Sequence, residues 1–129
     1  MSQSERDRIR RFVNDSLPGA VSQVTRRVAL QVLSGVVQRT PVDTGRARGN
    51  WQTSIGRGPT STTERLDKSG GAAISEGTAV IGGHKDFEQI QMTNNLPYIA
   101  RLEDGYSKQA PEGMVGLTLA ALGLGVSRE

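Results

Sequence analysis

An α+β domain is the fold class this sequence predicts: a long N-terminal amphipathic helix, a small antiparallel sheet and several short helices, one of them C-terminal. Three features predict it. Valines recur at helical spacing from Val21 to Val36, two short stretches alternate polar and apolar residues, and turn chemistry punctuates the remainder. The chain has 129 residues, which suits one domain over 1–129 built round a single core. That core has to be lean, because apolar residues make up 35% of the chain, aromatics 4%, and 16 residues are glycine. Such a chain buries more apolar area by associating than it can bury alone.

The elements follow in order. Residues 4–16, "SERDRIRRFVNDS", predict a first helix with Ile9, Phe12, Val13 and Leu17 on one side. Pro18-Gly19 is expected to interrupt it and to leave 1–17 mobile. From Ala20 the stripe of Val21, Val24, Val28, Val32 and Val36, widened by Leu33 and Val37, predicts the main helix. It should stop at Thr40, since a residue before proline is pushed out of the α region. "VDTG" then reads as a turn, with Asp43 accepting from the backbone and Gly45 supplying positive φ. "NWQTSIG" predicts a strand with Trp51, Thr53 and Ile55 on one face. Residues 57–72 are polar and rich in Gly, Ser and Thr, a loop or extension with little core of its own. A weak helix over 72–83 sets Ile74, Thr78 and Ile81 on one side, and a second strand follows with Ile90 and Met92 facing one way.

The segment 94–116 is the most heavily punctuated. Asn94 and Asn95 end the strand, and Pro97 suits the first position of a short helix "PYIARLED". Gly105 sits where a left-handed C-terminal cap is wanted. After the junction "YSKQAPEG", "MVGLTLAALGLG" predicts a closing helix that turns Met114, Leu117 and Leu124 to the core, with Ala120 and Ala121 allowing close approach.

The composition excludes several functions. Cysteine is absent, which removes disulfides, thiolate chemistry and Cys-based metal sites. No apolar run approaches the roughly 20 residues that cross a bilayer, so no membrane partner is expected. Residues 1–50 hold nine Arg against four acids, a net +5, while 51–129 hold seven basic against nine acidic groups, a net −2. A basic half can approach nucleic acid, yet no aromatics are interleaved with those Arg to stack on bases. A strand running through His84, Asp86 and Glu88 would set one imidazole and two carboxylates on one face for a metal. Ile90 and Met92 claim that same face for a core, so a solvated turn is the better reading of His84. "GRARG" lacks the Lys-Ser/Thr ending of a phosphate-wrapping loop. Arg46 and Arg48 are left as contacts for phosphate or carboxylate, or as a solvated turn. Glu103 and Asp104 are neighbours on a helix, point about 100° apart and cannot flank one bond; they read as surface charge. Tyr98 and Tyr106 fit a core edge or a contact with another chain equally well. No catalytic residue, cofactor or metal ligand is assigned.

"TPVDTGRARGNW", "TNNLPYIARLEDGYSKQAP" and "EGMV", in that order after a long amphipathic helix, resemble the small neck and tail-completion proteins of long-tailed bacteriophages. This is the group described as HK97 gp10-like or as minor tail protein Z. The likeness covers about residues 20–122, and the central phrase from Asn94 to Met114 is its specific part. It implies a non-enzymatic virion protein, made in the host cytoplasm and built into the neck or tail as a homo-oligomeric ring, expected to be a hexamer. Such a ring would adjoin the tail terminator or tube protein on one side and head–tail connector proteins on the other, with DNA passing through its lumen. Asn94, Asn95, Pro97, Tyr98, Glu103, Gly105, Tyr106, Ser107, Lys108 and Gln109 are then expected to define the fold or the interface. Arg46 and Arg48 become candidates for the lumen or an adjoining ring. A terminator ring that caps the tube, and a small basic DNA-binding protein, are the alternatives.

Overall fold

The computed structural model describes residues 2–124. Its elements are α1 (Gln3–Arg11), a π turn (Phe12–Ser16), α2 (Leu17–Arg39), α3 (Arg46–Gly49), β1 (Gln52–Ile55), α4 (Gly71–Gly82), β2 (Ile90–Thr93), α5 (Ile99–Glu103) and α6 (Val115–Ala121). The fold is α+β, as expected.

Contrary to the expectation from sequence, Pro18 does not interrupt the helix. α1, the π turn and α2 run on without a break, and Leu17 N–H bonds the carbonyl of Phe12 five residues back. A proline ring inside a regular helix strikes the carbonyl four residues earlier, at a cost of about 3 kcal/mol. The wider π register immediately upstream relieves that conflict. α1 itself is closed by a capping box, in which Ser2 Oγ accepts from Glu5 N–H and the Glu5 carboxylate accepts from Ser2 N–H. At the other end Thr40 is extended, with φ −72° and ψ 128°, as the following Pro41 requires.

β1 and β2 pair antiparallel, with Thr53 opposite Met92 and Ile55 opposite Ile90. That register puts the predicted apolar residues of both strands on one face. α4 lies against β1 and α2, and α6 also packs on α2. The core between them contains Leu33, Val36, Val37, Trp51, Ala73, Ile81 and Met114. Each large aliphatic side chain fully buried there contributes about 1.5–3 kcal/mol.

Helix faces differ from the predicted stripes in three places. α2 buries Ser22, Ala29, Leu33, Val36 and Val37, whereas Val24 is 59% exposed and Val28 and Val32 are only half-buried. α4 turns Ala73, Gly77 and Ile81 inward, and Thr78 is exposed. A Cβ on Gly77 would overlap the Leu33 side chain, so glycine is what allows α2 and α4 to touch at this level. α6 buries Thr118 against Gly35 of α2, while Leu117, Ala120, Ala121 and Leu124 are exposed. The last residue of the predicted closing helix, Gly125, lies outside the described residues.

The polar segment after β1 carries no regular structure until α4 begins at Gly71, yet it is strapped down throughout. Asn50 holds Thr63 through both its backbone groups, at 2.8 and 3.0 Å. Arg65 donates to the carbonyls of Gly49 and Trp51 and pairs with Glu76. Gln91 accepts from Gly58 N–H at 2.8 Å, and Gln52 donates to Ser61 O at 3.0 Å, so the strap lies along the polar face of the sheet. Buried Asp67 accepts from Ala73 N–H at 2.9 Å and thereby caps α4.

Candidate functional site

The stretches "TPVDTGRARGNW" and "NNLPYIARLEDGYSKQAP", some fifty residues apart in sequence, dock on one another. After Thr40 the chain turns through Val42–Gly45, with Gly45 at φ 88°. Arg46 N–H bonds Thr44 Oγ1 at 3.3 Å, so Thr44 rather than Asp43 provides the side-chain bond of the turn. The Gln109 amide lies alongside Val42 as a strand would. It accepts from Val42 N–H at 2.8 Å and donates from Nε2 to the Val42 carbonyl at 2.9 Å. Tyr98, Leu102 and Ser107 face Arg46 and residues 41–47 across the same cleft, of about 300 Å³.

Asn94 closes the junction from the other side. Its Oδ1 accepts from Leu96 N–H at 3.3 Å, and its Nδ2 donates to the Ala47 carbonyl at 2.9 Å. Asn95 Nδ2 donates to the carbonyls of Pro59 and Ser61, at 2.9 and 3.0 Å, and so ties the strap to the end of β2. Pro97 is not at the first helical position as expected but two residues before it. Ile99 N–H bonds the Leu96 carbonyl at 3.1 Å, which makes Leu96–Ile99 a turn with Pro97 at its second residue, and α5 starts only at Ile99. α5 ends in a paired cap, with Gly105 at φ 87° bonding Leu102 O and Tyr106 bonding Arg101 O.

Glu103 is the least expected member. Its Oε1 accepts from Met114 N–H at 2.9 Å and Val115 N–H at 2.8 Å, and its Oε2 accepts from Gly116 N–H at 2.9 Å. The carboxylate is therefore the N-terminal cap of α6, supplied from α5 across the "YSKQAPEG" junction, and not a surface charge. Gly113, at φ 83°, lets the chain pass close to Glu103 to deliver those amides. Asp104, its neighbour, is exposed.

The two arginines divide. Arg48 donates Nε to the Thr40 carbonyl, Nη1 to Lys68 O and Nη2 to Gln38 O, each at 2.9 Å. Its fork is thus engaged inside its own chain, holding the end of α2 to the strap. Arg46 Nε is buried without a hydrogen-bond partner among the described residues. Tyr98, Tyr106 and Lys108 are exposed, Tyr106 at 79%.

His84 is not in a solvated turn, because it is 1% exposed. Its Nε2 lies 2.7 Å from the Glu88 carbonyl, and its own carbonyl accepts from Arg26 Nη1 at 2.7 Å. β2 begins only at Ile90, and Asp86 takes a left-handed φ of 51°, so His84, Asp86 and Glu88 do not share a strand face. Asp67, the cap of α4, escaped sequence reading. The signal was its place four residues before a helix that opens on Gly-Ala-Ala without a capping side chain of its own.

Comparison of the chain with family models, with curated proteins and with solved structures finds no match. Among the described residues no helix is long and apolar enough to cross a membrane.

Proposed function

We propose that the protein is a structural subunit of a long-tailed phage virion, forming a homo-oligomeric ring that completes the head-proximal end of the tail and joins it to the head connector. One observation carries the reading. The two motifs behind the phage resemblance spend their polar side chains on each other's backbone, as Gln109 does on Val42 and Asn94 on Ala47. Such bonding fixes an outline and offers little to a substrate. It leaves Tyr98, Tyr106 and Lys108 exposed on the same turn-rich segment. Ring closure demands a fixed angle between neighbours, and a contour held by side-chain-to-backbone bonds supplies it.

The direct test is electron microscopy of the purified chain together with mass spectrometry of purified virions. Closed rings with a channel that admits duplex DNA, and the chain present in tail-bearing particles, are the expected results. A strict monomer absent from virions overturns the reading. A deletion phage reports the role: normal-length tails detached from heads indicate completion, and tails of uncontrolled length indicate termination.

A further inference from the structure

α1 is an apolar arm without a seat among the described residues of its own chain. Ile9, Phe12 and Val13 are 50%, 54% and 49% exposed, and no residue of α1 or of the π turn is buried. Apart from the helix it continues into, no element among the described residues packs substantially against it. Its capping box nevertheless fixes it as a helix rather than a loose tail.

The same chain carries an open seat with no arm. Val24, Val28 and Val32 of α2 and Ile90 and Met92 of β2 line an apolar groove of about 580 Å³. This is where the valine column missing from the core has gone. Soluble chains seldom leave such a stripe uncovered.

We infer that the groove between α2 and β2 receives the α1 arm of a second copy of this chain. The arm cannot reach its own groove. Ile9 and Val28 belong to one continuous helix and lie about 28 Å apart along it, at about 1.5 Å per residue. Arg6 and Arg10 flank Ile9 and Val13 on the arm, and Glu88 lines the groove as a carboxylate they can meet, with Asp86 and Lys85 on the adjoining loop and Arg26 and Arg27 on α2 beside it. Arm and groove are different surfaces, so the contact is head-to-tail, the kind that propagates into a ring. The inference names the contact within the ring reading above and rests on that reading. A stripe of three side chains is small beside the ~800 Å² per partner of a stable interface. The arm therefore works together with a second contact, for which exposed Tyr98 and Tyr106 supply aromatic surface.

The test uses complementary variants of the full chain, with mass measured by light scattering or mass photometry. Ile9→Glu with Val13→Glu spoils the arm and leaves the groove intact. Val24→Glu spoils the groove and leaves the arm intact, and since Val24 is mostly exposed this variant keeps its fold, as circular dichroism and the urea midpoint will verify. Each variant alone is expected to lose the assembly. Mixed one to one, they are expected to give a heterodimer with the single intact arm–groove contact. Because the chain has no cysteine, Phe12→Cys with Val24→Cys should in addition yield a ladder of disulfide-linked oligomers on oxidation. If the unaltered chain assembles and both variants assemble as well, the inference is overturned while the ring reading survives. The groove then seats a strand added along β2 or a different protein. If the unaltered chain is a monomer at every concentration, both fall.

Discussion

At the scale of single residues, the polar side chains with the largest effect are those that serve backbone groups from elsewhere in the chain. Glu103 satisfies three amides at the start of α6, the group of donors that every helix leaves unpaired at its N-terminus. Glu103→Ala is expected to cost about 2 kcal/mol, combining a lost cap with lost charge-assisted bonds. Glu103→Gln keeps one acceptor oxygen and should cost roughly half as much. Urea denaturation decides it, and equal midpoints for all three proteins would remove Glu103 from its role. Arg48 makes the companion case. A lysine ammonium is a point charge and cannot span the carbonyls of Gln38, Thr40 and Lys68 as a planar fork does. Arg48→Lys should therefore destabilise by about 1–2 kcal/mol although charge is conserved. A midpoint unchanged by that substitution would mean the three bonds contribute nothing. Both roles were hard to read in advance for one reason. A sequence displays the charge of Glu103 or Arg48 but not the unpaired amides and carbonyls that tertiary structure brings to it.

At the scale of elements, element type and order were legible and the exact buried face was not. Periodicity located α2, β1, α4, β2 and α6, and the pre-proline rule ended α2 at Thr40. The Val21–Val36 stripe was real, but half of it faces an open groove, because a stripe says that a face is apolar and not what covers it. Nor did hydrophobicity predict that Thr118 would be buried and Leu117 exposed. Thr118 fits because Gly35 leaves a hollow in α2 and because its hydroxyl is satisfied by the Met114 carbonyl at 2.6 Å. Pro18 was misread since a π turn, invisible in composition, absorbs it. Glycines in the two long helices give a prediction in which only the sign needs reading. Glycine is about 1 kcal/mol worse than alanine in a helix, so Gly19→Ala, with open space around it, should stabilise by up to that amount. Gly77→Ala gains the same propensity but drives a methyl into Leu33, and overpacking of about 1–3 kcal/mol outweighs the gain. Thermal melts should thus move in opposite directions for the two variants. Adding Leu33→Ala to Gly77→Ala should cost less than Leu33→Ala costs the unaltered chain, a coupling that a double-mutant cycle reads directly.

At the scale of the whole molecule, the surface carries apolar and aromatic groups that a chain with a lean core would have used inside had it needed to stand alone. Ile9, Phe12, Val13, Val24 and Tyr106 are each about half exposed or more, and they fall on the arm, the groove and the turn-rich segment. The strap at the same time binds the sheet's polar face, which leaves those apolar groups as the surfaces free for contact. Folding and assembly should accordingly separate under substitution. Tyr106 is 79% exposed, so Tyr106→Ala is expected to shift folding stability by no more than about 0.5 kcal/mol, the range of ordinary surface changes. An exposed tyrosine is also among the residue types that dominate interfaces, where truncation costs about 2 kcal/mol or more. That energy corresponds to a loss of roughly thirtyfold in association. Urea midpoints and oligomer mass, measured on the same preparations, should show the first unchanged and the second falling. A joint fall would assign Tyr106 to the fold, and no fall in mass would take the turn-rich segment out of the interface and leave the arm and groove as the surfaces through which copies meet.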